Sequence, residues 1–211
     1  MAAASREPSP QEDFWRGEFG DGYTRRNDDA RTVAANTRLF AQVLARTENV
    51  TSVLELGANI GMNLRAVRAL LPDATLDAVE INSSAATALR DWGEVTVHEG
   101  SLLTVELEGS WDLTLCKGVL IHLAPEQLEV AYDVLVERSS RYICVAEYFN
   151  PSPVEIPYRE HRDRLFKRDF AGEMLRRHAD LRLVDYGFIY HGDPNFALDD
   201  ITWFLMERRG T

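Results

Sequence analysis

The sequence predicts an α/β fold: a doubly wound, seven-stranded, mostly parallel sheet with an antiparallel last strand. Three observations predict it. Short apolar runs alternate with helix-length segments between residues 52 and 147, the pattern of parallel strands joined by crossover helices. The run Ser52-Val53-Leu54-Glu55-Leu56 passes directly into the glycine turn Gly57-Ala58-Asn59-Ile60-Gly61 and then into a helix, the unit that places a ligand at the carboxyl edge of such a sheet. The last two apolar runs have no helix between them, so they pair most simply as antiparallel neighbours.

The elements follow in order. Residues 1–12 are expected to be a mobile tail ahead of a single domain over 13–211. In residues 13–27, Phe14, Trp15, Phe19 and Tyr23 recur close to helical spacing amid Gly17, Gly20 and Gly22. This aromatic segment must bury itself, either on the main core or as a lid over a ligand. Residues 29–46 form an amphipathic helix with Val33, Leu39, Phe40, Val43 and Leu44 on its apolar side, so 13–46 reads as a helical cap. The first strand is Ser52–Leu56, and a helix over 61–71 stops before Pro72. The second strand is 74–81. Ser83 and Ser84 are placed to cap a helix reaching Trp92. Strands three, four and five are 95–98, Trp111–Lys117 and 141–147. Pro125 opens the first turn of a helix reaching about Glu137. Residues 148–178 read as a substrate-side insertion: a stretch rich in proline, arginine and tyrosine, then a short helix over 169–178. The final strands, 181–190 and 201–207, are joined by a loop over 191–200.

Composition narrows the function. The chain has 211 residues, 45% of them hydrophobic, and a net charge of −11. An acidic protein lacks the basic face that phosphate neutralisation needs, which argues against nucleic acid as partner; a small molecule is expected instead. No run reaches membrane-spanning length, and the first ten residues lack an apolar signal core, so no membrane partner and a cytoplasmic location are expected. The oligomeric state is not legible. Cys116 and Cys144 lie inside apolar runs and read as buried reduced thiols. No metal site is expected, because no second Cys or His stands at ligand spacing, and Asp193, Asp199 and Asp200 read as an acidic surface loop.

The candidate cofactor site follows from strand geometry. Gly57 permits close backbone approach and Gly61 close helix packing. Asn59 stands where many such loops have glycine; asparagine is the best substitute in a left-handed backbone. Glu80, 23 positions after Gly57, ends the second strand and can accept hydrogen bonds from two ribose hydroxyls. Glu55 suits an α-amino group better than a pyrophosphate, which it would repel.

As a set, these residues resemble the class I S-adenosylmethionine-dependent methyltransferases. Glu55-Leu56-Gly57-Ala58-Asn59-Ile60-Gly61 matches their first motif, with Asn59 as a departure. Glu80, followed by Ile81, matches the ribose-binding acid. Gly100-Ser101-Leu102 sits at the third motif, with Ser101 in place of the usual Asp. Lys117-Gly118-Val119-Leu120-Ile121-His122-Leu123 sits at the fourth, next to the methyl group in that family. The resemblance implies S-adenosyl-L-methionine as cofactor and a cofactor set of Glu55, Gly57, Ala58, Asn59, Gly61, Glu80, Ile81, Ser101, Leu102 and Lys117, with Tyr23 added from the aromatic segment. Outside residues 50–147 the chain is similar to the methylases associated with pseudaminic acid biosynthesis, through Asp13-Phe14-Trp15-Arg16-Gly17-Glu18-Phe19-Gly20, Tyr148-Phe149-Asn150-Pro151-Ser152-Pro153-Val154, Leu165-Phe166-Lys167-Arg168-Asp169-Phe170-Ala171 and Asp199-Asp200-Ile201-Thr202-Trp203-Phe204. That likeness implies a small polar acceptor such as an acidic sugar.

The acceptor side is expected in the basic segment after the fifth strand. Arg159, Arg162, Arg164, Lys167 and Arg168 crowd into ten residues, and arginine grips carboxylates in two-pronged fashion. Tyr148, Tyr158, Arg159, Arg168 and Trp15 are the substrate-binding candidates. His122, just beyond the fourth strand, leads the catalytic candidates as a base or as an orienter of the methyl site, with His191 and Tyr158 as the other catalytic candidates. Two other readings share the strand–turn–helix unit: a nicotinamide-dependent oxidoreductase, whose loop typically reads G-x-G-x-x-G, and a catalytically inactive cofactor-binding module.

Overall fold

A computed structural model describes residues 7–26, 29–156 and 165–210. In chain order the elements are α1 (Pro10–Arg16), α2 (Glu18–Arg26), α3 (Ala30–Leu44), β1 (Ser52–Leu56), α4 (Met62–Leu70), β2 (Thr75–Glu80), α5 (Ser83–Trp92), β3 (Thr96–Glu99), β4 (Trp111–Lys117), α6 (Leu128–Glu137), β5 (Ser139–Glu147), β6 (Val154–Glu155), β7 (Phe166–Lys167), α7 (Phe170–Arg177), β8 (Leu181–Ile189) and β9 (Ile201–Arg208). Seven strands form one sheet in the order β3-β2-β1-β4-β5-β9-β8. The first five pair in parallel, and β9 inserts antiparallel between β5 and β8. The predicted fold class is therefore correct. The insertion of the last strand between two earlier ones was not legible, because antiparallel pairing with β8 alone does not say which edge β9 takes.

Strand periodicity builds two cores. Val53, Leu113, Leu115, Tyr142 and Cys144 face α3, α4 and α5, packing with Leu39, Phe40, Leu64, Val67 and Leu89. Their neighbours Leu54, Leu56, Cys116, Ile143 and Val145 face α6 and α7, packing with Leu128, Leu135, Phe170 and Met174. Alternate residues of a strand point to opposite faces, so a strand covered on both sides reads as continuously apolar. Both cysteines are free and buried, and burial raises both thiols, that of Cys144 to about 12.

Local rules moved several boundaries. Ser9, not residue 13, starts the N-terminal structure: its hydroxyl accepts from the Glu12 amide and the Glu12 carboxylate accepts from the Ser9 amide, a reciprocal capping box with Pro10 at the first helical position. The expected tail over 1–12 thus overlaps helix α1, and Gln11 and Glu12 are buried. The cap of α5 is Asn82, whose Oδ1 accepts from the Ala85 amide at 2.9 Å; Ser83 and Ser84 lie inside the helix. Pro125 opens a single 3-10 turn before α6. The expected insertion over 148–178 divides. Its β6–β7 ribbon stands apart from the main sheet, while α7 packs Phe170, Ala171 and Met174 into the main core.

Candidate functional site

At the carboxyl edge of β1, β2, β3 and β4 the turns that follow the strands open into one cleft, with about 1140 Å3 of free space counting the part open to solvent. Gly57 and Gly61 both adopt left-handed backbone (φ 79° and 80°), and so does Asn59 (φ 48°). Asparagine therefore does replace glycine in this turn; its side-chain oxygen accepts from the Ile60 amide at 2.7 Å. The Gly57 and Ala58 amides donate to the Val79 carbonyl (2.8 and 3.1 Å), tying the turn to β2. A Cβ on Gly57 would lie 2.5 Å from Val119 Cγ2, and one on Gly61 2.7 Å from Leu89 Cδ2.

Glu80 lies on the cleft wall, almost fully buried. Its carboxylate accepts from the Asn59 amide and from the Asn82 amide, each at 2.7 Å. Burial raises its proton affinity, and these backbone donors oppose the rise. The Ile81 amide also acts on the carboxylate; a carboxylate has about four acceptor directions, so capacity remains for a ligand hydroxyl. Asn82 links this acid to the N-terminal helices: its Nδ2 donates to Asp21 Oδ1 (2.9 Å) and to the Trp15 carbonyl (3.3 Å). Ser84 adds a bond to the same Asp21 oxygen at 2.8 Å.

That latch holds α1 and α2 over the cleft. Gln11, Glu12, Trp15 and Tyr23 line it from above. Trp15 packs edge-on against Tyr23 (centroids 5.3 Å apart) and lies 4.7 Å from the His122 ring. The aromatic segment packs on itself, and Trp15 and Tyr23 reach the cleft wall. His122 is buried at the end of a 3-10 turn, Leu120–His122, just past β4. Ile81, Ser101, Leu102, Lys117 and Val119 also line the wall.

Other expected site residues lie elsewhere. Glu55 is fully buried and is not on the wall. It faces the α3–α4 side of the sheet, where Asn63 Nδ2 donates to its Oε1 at 2.6 Å. Burial pushes it up to about 8, against the pull of Asn63 and Lys117. Burial in turn lowers Lys117, opposed by Glu55 and Glu147. Arg168 does not reach the cleft; its guanidinium pairs with Glu173 at 2.7 Å, beside the Tyr132 hydroxyl, which donates to the same carboxylate. Tyr148 packs between the two cores with Lys167 Nζ 4.8 Å from its ring centroid, off the cleft wall. His191 is exposed and paired with Asp200 at 2.8 Å. Tyr158 and Arg159, with Arg162 and Arg164, lie outside the described residues. No group of acids, histidines and cysteines suited to a metal occurs among the described residues, and no helix among them is long and apolar enough to cross a membrane.

Four residues used below escaped the sequence reading. Asn36, Asn63 and Asn82 are ordinary polar residues in a linear chain. Glu147 ends β5 like any strand-end acid, yet it is buried, and one oxygen accepts from the Val119 and Leu120 amides, each at 3.0 Å. It thereby holds the turn that carries Val119 and His122. Burial pushes Glu147 up to about 7, against those same amides.

Glu55 and Glu147 predict a pH dependence for the ligand-free protein. An unfolded glutamate ionises near the ordinary value of 4.5, whereas these hold their protons to about 8 and about 7. Between those limits the folded state binds more protons, so stability is greatest below the unfolded value and falls as pH rises toward 8. Each unit of difference corresponds to about 1.4 kcal/mol. Thermal denaturation at pH 5, 6, 7 and 8 should show a smaller loss of Tm in Glu147→Gln than in the wild type; equal losses would remove Glu147 from this account.

Solved structures share this architecture. Burkholderia thailandensis 1,6-didemethyltoxoflavin-N1-methyltransferase, with 1,6-didemethyltoxoflavin and S-adenosylhomocysteine bound, superposes with a TM-score of 0.68 at 18% identity, over 99% of this chain and 94% of that one. Magnesium protoporphyrin IX methyltransferase from Synechocystis PCC 6803, with S-adenosylmethionine bound, gives 0.67 at 13% identity over 97% and 100%. A Leishmania major S-adenosylmethionine-dependent methyltransferase gives 0.70 at 17% identity over 93% and 81%. No protein-family model matches the chain, and no curated protein matches it in sequence. The chain has the fold of the class I methyltransferases.

Proposed function

We propose that this protein is an S-adenosylmethionine-dependent methyltransferase acting on an oxygen or nitrogen of a small polar molecule. One observation carries the reading: a left-handed glycine turn and the Glu80 carboxylate share a cleft with His122, whose ring lies against Trp15. The residues present suit the cofactor. Glu80 has acceptor capacity for the ribose, and Ser101 and Leu102 offer a polar and an apolar contact for adenine. The neighbours in fold that hold S-adenosylmethionine or its product support the choice.

When bound, the cofactor supplies a methyl group already activated on a sulfonium. The protein's own contribution is then mainly positioning. His122 stands at the tip of β4, in reach of an acceptor in that end of the cleft, and its imidazole can take the proton that an O–H or N–H acceptor releases. Trp15 and Tyr23 cover that end and exclude water. The acceptor reading extends to an anionic metabolite, a sugar acid or amino-acid-like biosynthetic intermediate. Its support is the likeness to the pseudaminic acid-associated methylases and the run of arginines at 159, 162 and 164; Arg168, engaged by Glu173, no longer contributes.

Calorimetric titration tests the cofactor directly. Micromolar binding of S-adenosylhomocysteine with no binding of reduced nicotinamide cofactor is the expected outcome, and the reverse preference refutes the reading. A metabolite screen for a 14-dalton mass gain then separates turnover from a silent binding module.

A further inference from the structure

Asn36 is the least explained side chain of the cleft. It is 1% exposed and lines the wall, yet among the described residues neither its Nδ2 nor its Oδ1 has a hydrogen-bond partner. Buried amides are nearly always paired, because an unmade bond forfeits the hydration that burial removed. A carboxamide with both ends free asks for a ligand group that offers an acceptor and a donor side by side. Asn63, also on the wall, repeats the pattern: its Nδ2 donates to Glu55, while its Oδ1 is buried without a partner.

We propose that Asn36 and Asn63 form the subsite for the α-amino-carboxylate end of the cofactor, with Glu55 a positioning residue that acts through Asn63. This rests on the S-adenosylmethionine reading above. An amino-acid zwitterion is a carboxylate beside an ammonium. The Asn36 Nδ2 donates to the first; the Asn36 and Asn63 carbonyl oxygens accept from the second. The placement agrees. Asn36 comes from α3 and Asn63 from the first turn of α4, two helices packed together on the β1 side of Gly57, whereas Glu80 at the β2 tip takes the ribose on the other side. Glu55 is fully buried behind Asn63, and that burial raises its proton affinity, so it serves better as a hydrogen-bond partner that fixes the Asn63 amide than as a counter-ion.

Two nucleosides separate this subsite from the rest of the cleft. S-adenosylhomocysteine carries the amino-acid end; 5′-methylthioadenosine has the same adenosine and thioether but lacks it. In calorimetric titrations, Asn36→Leu is expected to weaken S-adenosylhomocysteine tenfold or more while leaving 5′-methylthioadenosine within twofold of the wild type. Asn36→Ala, tested alongside with circular dichroism as a control for folding, should show the same selectivity. Equal weakening of both nucleosides, or no change in either, overturns the proposal while the cofactor reading stands. Failure of the wild type to bind either nucleoside overturns both.

Discussion

Gly57→Val is expected to abolish binding of S-adenosylhomocysteine while the protein still folds. Two penalties combine at this position. The backbone is left-handed (φ 79°), where a side chain costs about 1–2 kcal/mol and a β-branched one more. A Cβ would also stand 2.5 Å from Val119 Cγ2, with Val119 Cγ1 at 3.2 Å. The chain can relieve both only by moving the turn away from β2 or by pushing back the Val119 turn that Glu147 holds. Either movement spoils the cleft. Gly57→Ala carries the same backbone penalty with the smaller side chain. Adding Val119→Ala removes both crowding methyl groups, so Gly57→Ala/Val119→Ala should bind better than Gly57→Ala alone. Calorimetric affinities for the four proteins form the test. Wild-type affinity in Gly57→Val would show that the turn does not approach the ligand.

Glu80→Ala is expected to lower the affinity for the same ligand by roughly a hundredfold or more. Hydrogen bonds to a charged group contribute about 1.5–3 kcal/mol each, the bond to the ribose would be lost, and about 1.4 kcal/mol is tenfold. The substitution also frees the Asn59 and Asn82 amides that the carboxylate now holds, loosening the turn on one side and the latch to the N-terminal helices on the other. Glu80→Gln separates the two contributions. Its single carbonyl oxygen can accept from one of these amides but confronts the other with an NH2 group, so it should fall between alanine and the wild type. Unchanged affinity in Glu80→Ala would remove the ribose assignment, and with it the orientation of the ligand in the cleft.

Much of the scaffold was legible because it depends on neighbours in sequence. The run Val53-Leu54-Glu55-Leu56 reads as a strand covered on both faces, and it is one. Asn59 was expected in a left-handed turn, where its φ of 48° puts it. The exceptions have a common cause: each turns on a partner distant in the chain or on a nearer competitor. Arg168 looked like an anion grip because arginines crowd around it, but Glu173, one turn into α7, takes the guanidinium. Glu55 looked like a ligand contact because it precedes the glycine turn. Its strand parity aims it beneath α4 instead, where Asn63 meets it. The cap of α5 was expected at Ser83 or Ser84, yet Asn82 holds it, and only the packing of α2 on α5 makes Asn82 the link between Glu80 and the N-terminal helices.

The amino-acid order alone determined the layered sheet, the glycine turn and the acid at the tip of the second strand, since periodicity and turn chemistry are set within a few residues. The tertiary structure decided which polar groups face the cleft and which are consumed inside it: Asn36 unpaired on the wall, Glu55 hidden behind Asn63, Glu147 holding the turn of His122. The physical reason is that a buried polar group is defined by its partners, and those partners are brought together only when separate helices and strand tips pack.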